Sequence, residues 1–170
     1  VIDAGLIGTL ASQNIVMQTV YRKPLVGIIS TGNEITEPGQ ILAEGKIFDT
    51  NRYMLTAELE KIGCTAKFLG LAGDDKKLIE QLALRGIACC DALIITGGVS
   101  VGDYDFTYEA IKGIGAEVLF NGVDIKPGMA CVYARKDGVI LCGLSGNPAS
   151  CITNFYAIVA PALKKLTGQA

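Results

Sequence analysis

Histidine is absent from the 170 residues, which removes the side chain that most often acts as a general base near neutral pH. Six cysteines are present, but none forms a C-x-x-C pair, and without histidine this argues against zinc-finger-type sites. Cys64, Cys89, Cys90, Cys131, Cys142 and Cys151 mostly stand in apolar company, as in Ile140-Leu141-Cys142-Gly143. They read as reduced core thiols of a cytoplasmic protein. No apolar run approaches the ~20 residues needed to cross a bilayer, so no membrane partner is expected. Lys and Arg are scattered rather than clustered, the formal net charge is −2, and no nucleic-acid partner is expected. The start, Val1-Ile2-Asp3, has neither an initiator Met nor a signal-peptide pattern, and reads as an internal cut. Chemistry here must rest on carboxylates, lysines, hydroxyls, backbone N–H groups or a metal.

What is present suits one compact domain: half of the residues are hydrophobic and 19% are charged. Residues 4–13 carry Leu6, Ile7 and Leu10, a short helical fragment. The apolar, β-rich run from Leu25 to Ser30 reads as a buried strand ended by Thr31-Gly32. A loop with Pro38, Gly39 and Gly45 follows. From about Thr50 to Ile62, Leu55, Leu59 and Ile62 share a helical face, with Asp49 or Thr50 as N-cap and Gly63 as the stop. A strand over 66–72 and a helix opening at Asp74-Asp75 come next, then a buried strand over 91–96 and a helix over 106–112. Strands are expected at 116–120, 130–134 and 139–142, the last two joined by the turn Lys136-Asp137-Gly138. The final helix, about 148–166, has Asn147 as cap and Pro148 at its first turn. Ile152, Phe155, Tyr156, Val159, Leu163 and Leu166 are expected inward, with a kink at Pro161.

Strand–helix–strand–helix–strand with short links predicts a three-layer α/β/α fold with a mostly parallel sheet, and the late hairpin adds an antiparallel element. Ligands of such sheets bind at the carboxyl ends of the strands. Four loops there should converge: Ser30-Thr31-Gly32-Asn33-Glu34, Gly73-Asp74-Asp75, the run from Thr96 to Asp105, and Gly143-Leu144-Ser145-Gly146-Asn147-Pro148. Gly97, Gly98 and Gly102 allow close approach and can expose N–H groups to a phosphate, with Ser100 as a neutral donor. Asp103 and Asp105 could hold a divalent metal or simply organise the loop, and Asp105 could cap the next helix. The run matches neither a G-x-x-x-x-G-K-[ST] loop nor a G-x-G-x-x-G fingerprint. Asn147, Asp74 and Asp75 are open to the same two readings, ligand contact or helix cap. Lys126, before Pro127-Gly128, is either a phosphate-facing ammonium or a solvated turn lysine.

Taken together, Ser-Thr-Gly-Asn-Glu (30–34), Asp-Thr-Asn (49–51), Gly-Gly-Val-Ser-Val-Gly-Asp-Tyr-Asp (97–105), Lys-Pro-Gly (126–128) and Gly-Leu-Ser-Gly-Asn-Pro (143–148) resemble the molybdopterin molybdenumtransferase family, which includes the gephyrin E domain. The resemblance spans about 24–168 and implies a molybdopterin-binding α/β domain over 24–170, with 1–23 as the end of a preceding linker domain. It implies molybdopterin, adenylylated molybdopterin and molybdate as substrates, Mg²⁺ as cofactor, release of AMP, and a homo-oligomer, dimer or trimer. Glu34, Asp74 and Asp105 would be the catalytic carboxylates, and Glu34, Asp75, Asp103 and Asp105 the metal ligands. Thr31, Gly32, Gly97, Gly98, Ser100, Gly102, Lys126, Pro127, Gly128, Ser145, Gly146, Asn147 and Pro148 would line the pterin-phosphate site. Departures from the family pattern are Asn33 for Asp, Gly122 for Lys, Met129-Ala130 for Lys-Pro and Ser145 for Pro. Two fewer cations make the isolated domain a binder before it is a catalyst. Alternatives are a molybdopterin adenylyltransferase and a non-catalytic pterin sensor or scaffold.

Overall fold

The computed structural model describes residues 2–99 and 105–168. Ser100, Gly102 and Asp103, expected in the site, lie outside the described residues. Helix α1 (Ala4–Ser12), capped by Asp3, buries none of its residues. The chain then enters β1 (Leu25–Ser30), which is apolar because it is covered on both faces. A short parallel pair, β2 (Ile35–Thr36) and β3 (Ile47–Phe48), closes the loop that follows. This pair was invisible to periodicity because two residues per strand carry none. Next come α2 (Asn51–Lys61), β4 (Thr65–Leu71), α3 (Lys76–Ile87), β5 (Ala92–Thr96), α4 (Phe106–Gly113), β6 (Glu117–Asn121), β7 (Cys131–Lys136) and β8 (Val139–Leu144). The last helix is α5 (Pro148–Asn154), a π-helical turn (Phe155–Val159) and α6 (Ala160–Leu166).

The six long strands form one sheet in the order β4-β1-β5-β8-β7-β6. The pairs β4–β1, β1–β5 and β5–β8 are parallel, and β8–β7 and β7–β6 are antiparallel. Asp137 (φ 51°) and Gly138 (φ 81°) make the β7–β8 turn at two positive-φ positions, the geometry that matches strand twist. Alternate side chains of each strand feed two cores. Val26, Ile28 and Ile94 pack with Leu55, Leu59, Phe155 and Leu163 on one face. Leu93, Ile95 and Leu141 pack with Ile79, Leu82 and Ile111 on the other. The α/β/α sandwich is therefore as expected.

The final helix differs from expectation in one respect. Tyr156 and Leu166 were expected inward, but they are 48% and 40% exposed. Pro161 has no N–H to donate one turn back, and the ladder widens into the π turn just before it. Tyr156 falls within that widened turn, and its hydroxyl reaches the Glu58 carboxylate of α2 instead of the core.

Candidate functional site

Register places the carboxyl ends of the strands side by side, with Ser30 opposite both Leu71 and Thr96, and Thr96 opposite Leu144. Because β7 runs the other way, its first residue Cys131 pairs with Leu144. The Lys126-Pro127-Gly128 segment just before it therefore reaches the same edge as the four other loops. All the described motif loops thus share one edge.

At the centre, the Thr31 hydroxyl and N–H both donate to the Thr96 carbonyl, at 3.0 Å and 2.8 Å. Gly97 follows with φ 88°, and a Cβ there would lie 2.6 Å from the Thr31 carbonyl oxygen. Gly98 has φ 61°, and its Cβ would lie 2.9 Å from the Thr107 hydroxyl, which itself donates to Gly97 O at 2.8 Å. Both glycines are required by backbone conformation and by close packing. The Gly97 N–H donates to Leu144 O at 2.9 Å, so it extends the sheet and is not offered to a phosphate. Asp105 caps α4, accepting from Tyr108 N–H at 2.8 Å.

On one flank, Gly32 has φ 121°, and the Glu34 carboxylate lies over it, 2.6 to 2.8 Å from where a Cβ would be. Asn33 and Asp74 are joined by hydrogen bonds in both directions, and Lys46 Nζ donates to the Asn33 carbonyl. Asp75 accepts from Lys77 and Leu78 N–H, so it is the cap of α3. On the other flank, Asn147 caps α5 by accepting from Ala149 and Ser150 N–H. Its own N–H donates to the Ser145 hydroxyl oxygen at 3.2 Å. Lys126 and Pro127 are exposed. Gly128 is buried and fixed from below, where Asn154 Nδ2 donates to its carbonyl at 2.7 Å.

The Asp49-Thr50-Asn51 run forms the wall between these flanks; from sequence, Asp49 or Thr50 is expected only as a helix cap and Asn51 has no assigned role. Asp49, 4% exposed, accepts from the Ser30 hydroxyl at 2.6 Å and caps α2 through Arg52 N–H. Asn51, 6% exposed, donates through Nδ2 to the Gly146 carbonyl at 2.8 Å. A carbonyl demands a donor, so this bond fixes the amide orientation and leaves Oδ1 without a partner. Ser30, Thr31, Glu34, Asp49, Asn51 and Gly146 are among the residues lining one cleft. An orphaned buried acceptor in a cleft wall is the signal that sequence could not supply. The quoted motif was its only trace.

Among the described residues, no three His, Cys, Asp or Glu side chains cluster as on a metal ion. Glu34 follows Asn33 in the chain, Asp74 is hydrogen-bonded to Asn33, Asp105 belongs to the Gly-Gly loop, and Asp75 caps α3 through Oδ1.

A family model described as "Probable molybdopterin binding domain" matches residues 27–165. The chain belongs to that family. Similar proteins include two named molybdopterin molybdenumtransferase. That of Haemophilus influenzae is 39% identical over 94% of this chain and 39% of its own length. That of Staphylococcus aureus is 39% identical over 99% of this chain and 40% of its own. The chain thus spans about two fifths of these relatives. A solved molybdopterin biosynthesis MoeA protein from Pyrococcus horikoshii superposes with a TM-score of 0.88 at 34% identity, covering 99% of this chain and 41% of that one. A solved molybdenum cofactor biosynthesis protein B shares the fold at 16% identity and a TM-score of 0.69, and is covered over 97% of its length. A molybdopterin-binding domain with this architecture therefore makes up part of some proteins, and its fold nearly the whole of others. No helix among the described residues is long and apolar enough to cross a membrane.

Proposed function

We propose that this chain works in molybdenum cofactor biosynthesis, holding molybdopterin in its adenylylated form along the carboxyl edge of the sheet. In the longer protein, residues 24–170 would be the binding domain and 1–23 the end of a linker domain. The reaction there is insertion of molybdate at the pterin dithiolene with release of AMP, in the cytoplasm and within a homo-oligomer. The observation that carries the binding reading is Asn51. Its amide is clamped to Gly146, its free Oδ1 is buried in the cleft wall, and the motif loops 30–34 and 145–148 meet around it.

Each part then has a chemical task. Asn51 Oδ1 accepts an N–H or O–H of the ligand. Lys126 offers an ammonium to the diphosphate, from a loop that Asn154 holds in place. Glu34, next to Asn33 in the chain, and Asp74, hydrogen-bonded to Asn33, provide the one or two carboxylates that a phosphate-borne Mg²⁺ ordinarily needs. Bound there, the ion would offset diphosphate charge. Among the described residues no three His, Cys, Asp or Glu side chains cluster, and Asp75, which caps α3 through Oδ1, would bring only its other oxygen to the ion. Gly97 and Gly98 let the loops close over one another, so their contribution is shape.

One observation favours binding over turnover in this piece of chain. Gly122, where the family resemblance expects a lysine, has φ 85°, a conformation in which a lysine would be strained. An adenylyltransferase or a non-catalytic pterin sensor are the other readings of such a site.

Anaerobic titration with molybdopterin and its adenylylated form, with and without Mg²⁺, tests the proposal. Asp105→Asn is the informative variant, because Asn caps a helix as well as Asp does while removing the charge. Preferential binding of the adenylylated form, weakened in Glu34→Gln and in Asp105→Asn, supports the reading. Equal affinity for both forms points to a pterin sensor, and AMP release by the full-length protein separates enzyme from carrier.

A further inference from the structure

On the far side of the molecule from this site, two adjacent cysteines and a lysine form a cluster the binding reading does not use. We propose that Cys89 is a modification site, a nucleophilic thiol open to hydroperoxides and soft electrophiles, with Cys90 as its resolving partner.

The geometry is local and specific. Of the six cysteines only Cys89 is exposed. Its Sγ lies 3.6 Å from Cys90 Sγ and 3.4 Å from Lys67 Nζ on β4. Both cysteines sit on a fixed base, since their N–H groups donate to Gly86 O at the end of α3, at 3.0 and 2.8 Å. The groups around them divide the roles. Contact with Cys90 lowers the Cys89 thiol below its usual range; burial opposes this, and Lys67 and then the charge of Arg85 add to the lowering. Burial, then the neighbouring Cys89, pushes Cys90 up to about 11, with Asp91 adding to the rise and Lys67 opposing it. Cys89 is therefore the attacking thiolate, and Cys90 holds its proton until Cys89 has reacted.

The chemistry balances with a hydroperoxide as oxidant. The Cys89 thiolate attacks the peroxide, an S–O bond forms, the O–O bond breaks, and the alkoxide or hydroxide leaves with a proton. This gives a sulfenic acid at Cys89. That product carries no negative charge, which removes part of what holds Cys90 protonated. Cys90 sulfur then attacks Cys89 sulfur, the S–S bond forms, the S–O bond breaks, and hydroxide departs as water with the Cys90 proton. Two thiols and one hydroperoxide become a disulfide, an alcohol and water. Neighbouring Cα atoms are ~3.8 Å apart, shorter than the ~4.4–6.8 Å that a relaxed disulfide spans. A bridge between Cys89 and Cys90 is strained, easily reduced, and so reversible.

Peptide mass mapping of the whole chain after limiting alkylation, and after a stoichiometric hydroperoxide pulse, tests this. Expected are alkylation at Cys89 several-fold faster than at free cysteine, slowed in Lys67→Met, and loss of two hydrogens from the peptide holding residues 89–90, restored by dithiothreitol. Cys90→Ser should instead accumulate a sulfenic acid trapped by dimedone, and Cys89→Ser should show neither product. The proposal is overturned if Cys89 reacts no faster than free cysteine, or if the oxidised peptide lacks residue 89. Pterin binding is read separately, so either proposal can fail alone. Wild-type mapping needs no variant to fold.

Discussion

Asn33 and Asp74 exchange hydrogen bonds across two neighbouring loops. The Asp74 N–H donates to Asn33 Oδ1 at 3.2 Å, and the Asn33 N–H donates to Asp74 Oδ2 at 3.3 Å. Gly73 makes this possible, because a Cβ on it would fall 2.6 Å from Asn33 Oδ1. The pair sets where the Asp74 carboxylate stands relative to Glu34, one residue beyond Asn33.

Asn33→Ala should therefore have a small effect on stability and a larger one on ligand. The variant keeps the Asn33 backbone N–H that donates to Asp74 Oδ2 and loses only the exposed bond from the Asp74 N–H to Oδ1, which anchors the Asp74 loop, so urea denaturation should show a loss of about 1 kcal/mol or less. The Mg²⁺-dependent part of adenylylated molybdopterin binding should fall markedly, while binding without Mg²⁺ stays. Equal losses with and without the ion would mean that Asp74 takes no part in holding it.

Asn51 makes the opposite prediction about magnitude, because it is buried. Asn51→Ala leaves the Gly146 carbonyl without its donor, at a cost of roughly 1–3 kcal/mol. Ligand affinity should drop further than this folding loss explains, since the variant also lacks the unpaired acceptor beside the cleft. Titration calorimetry under conditions where the variant is fully folded is the check. Unchanged affinity would assign Asn51 a purely structural part.

The architecture was legible because its signals are long. Strand runs such as 25–29 and 92–95 are apolar throughout, and helix stops such as Gly63 sit where a positive φ, here 83°, is needed. The convergence of the loops followed from strand direction alone. Side-chain assignments were less legible, because the same residue can cap or bind. Asp75, Asp105 and Asn147 each accept helix N–H bonds, a choice that depends on where the helix start places each side chain. Asn51 stood in a quoted motif without a role, since an orphaned acceptor is a property of packing. The burial of Asn154 beneath Gly128 joins segments 26 residues apart, and no local pattern announces it.

That Asn154 contact yields a third prediction. Gly128 has φ 123°, and a Cβ there would lie 2.7 Å from Asn154 Nδ2. Gly128→Ala should cost roughly 1–3 kcal/mol in backbone strain and contact. It should also displace Lys126 and weaken binding of the diphosphate-bearing ligand more than that of molybdopterin. Asn154→Ala, which frees the loop without filling its space, should share the ligand effect. If only Gly128→Ala affects ligand, Asn154 is packing and nothing more.

The buried thiols govern the alkaline limit of the fold. Burial, followed by the nearby Cys131, pushes Cys142 up to about 12, and burial, followed by Asp49, pushes Cys151 up to about 12, from an ordinary 9.0. Below the ordinary value both thiols are protonated in folded and unfolded chains alike, so they contribute no slope. Above it the unfolded chain releases protons that the folded chain keeps, so stability falls as pH rises, and goes on falling until the folded values are reached. Each such thiol contributes up to about 1.4 kcal/mol per pH unit. Urea unfolding in reductant at closely spaced pH values from roughly 8 to 10, before tyrosine ionisation adds its own slope, should show a declining midpoint. Cys151→Ala should flatten that decline by about one proton's worth, with a constant offset for the cavity. A decline as steep in the variant as in the wild type would mean that Cys151 ionises as readily folded as unfolded, and that water reaches the thiol beneath Asp49.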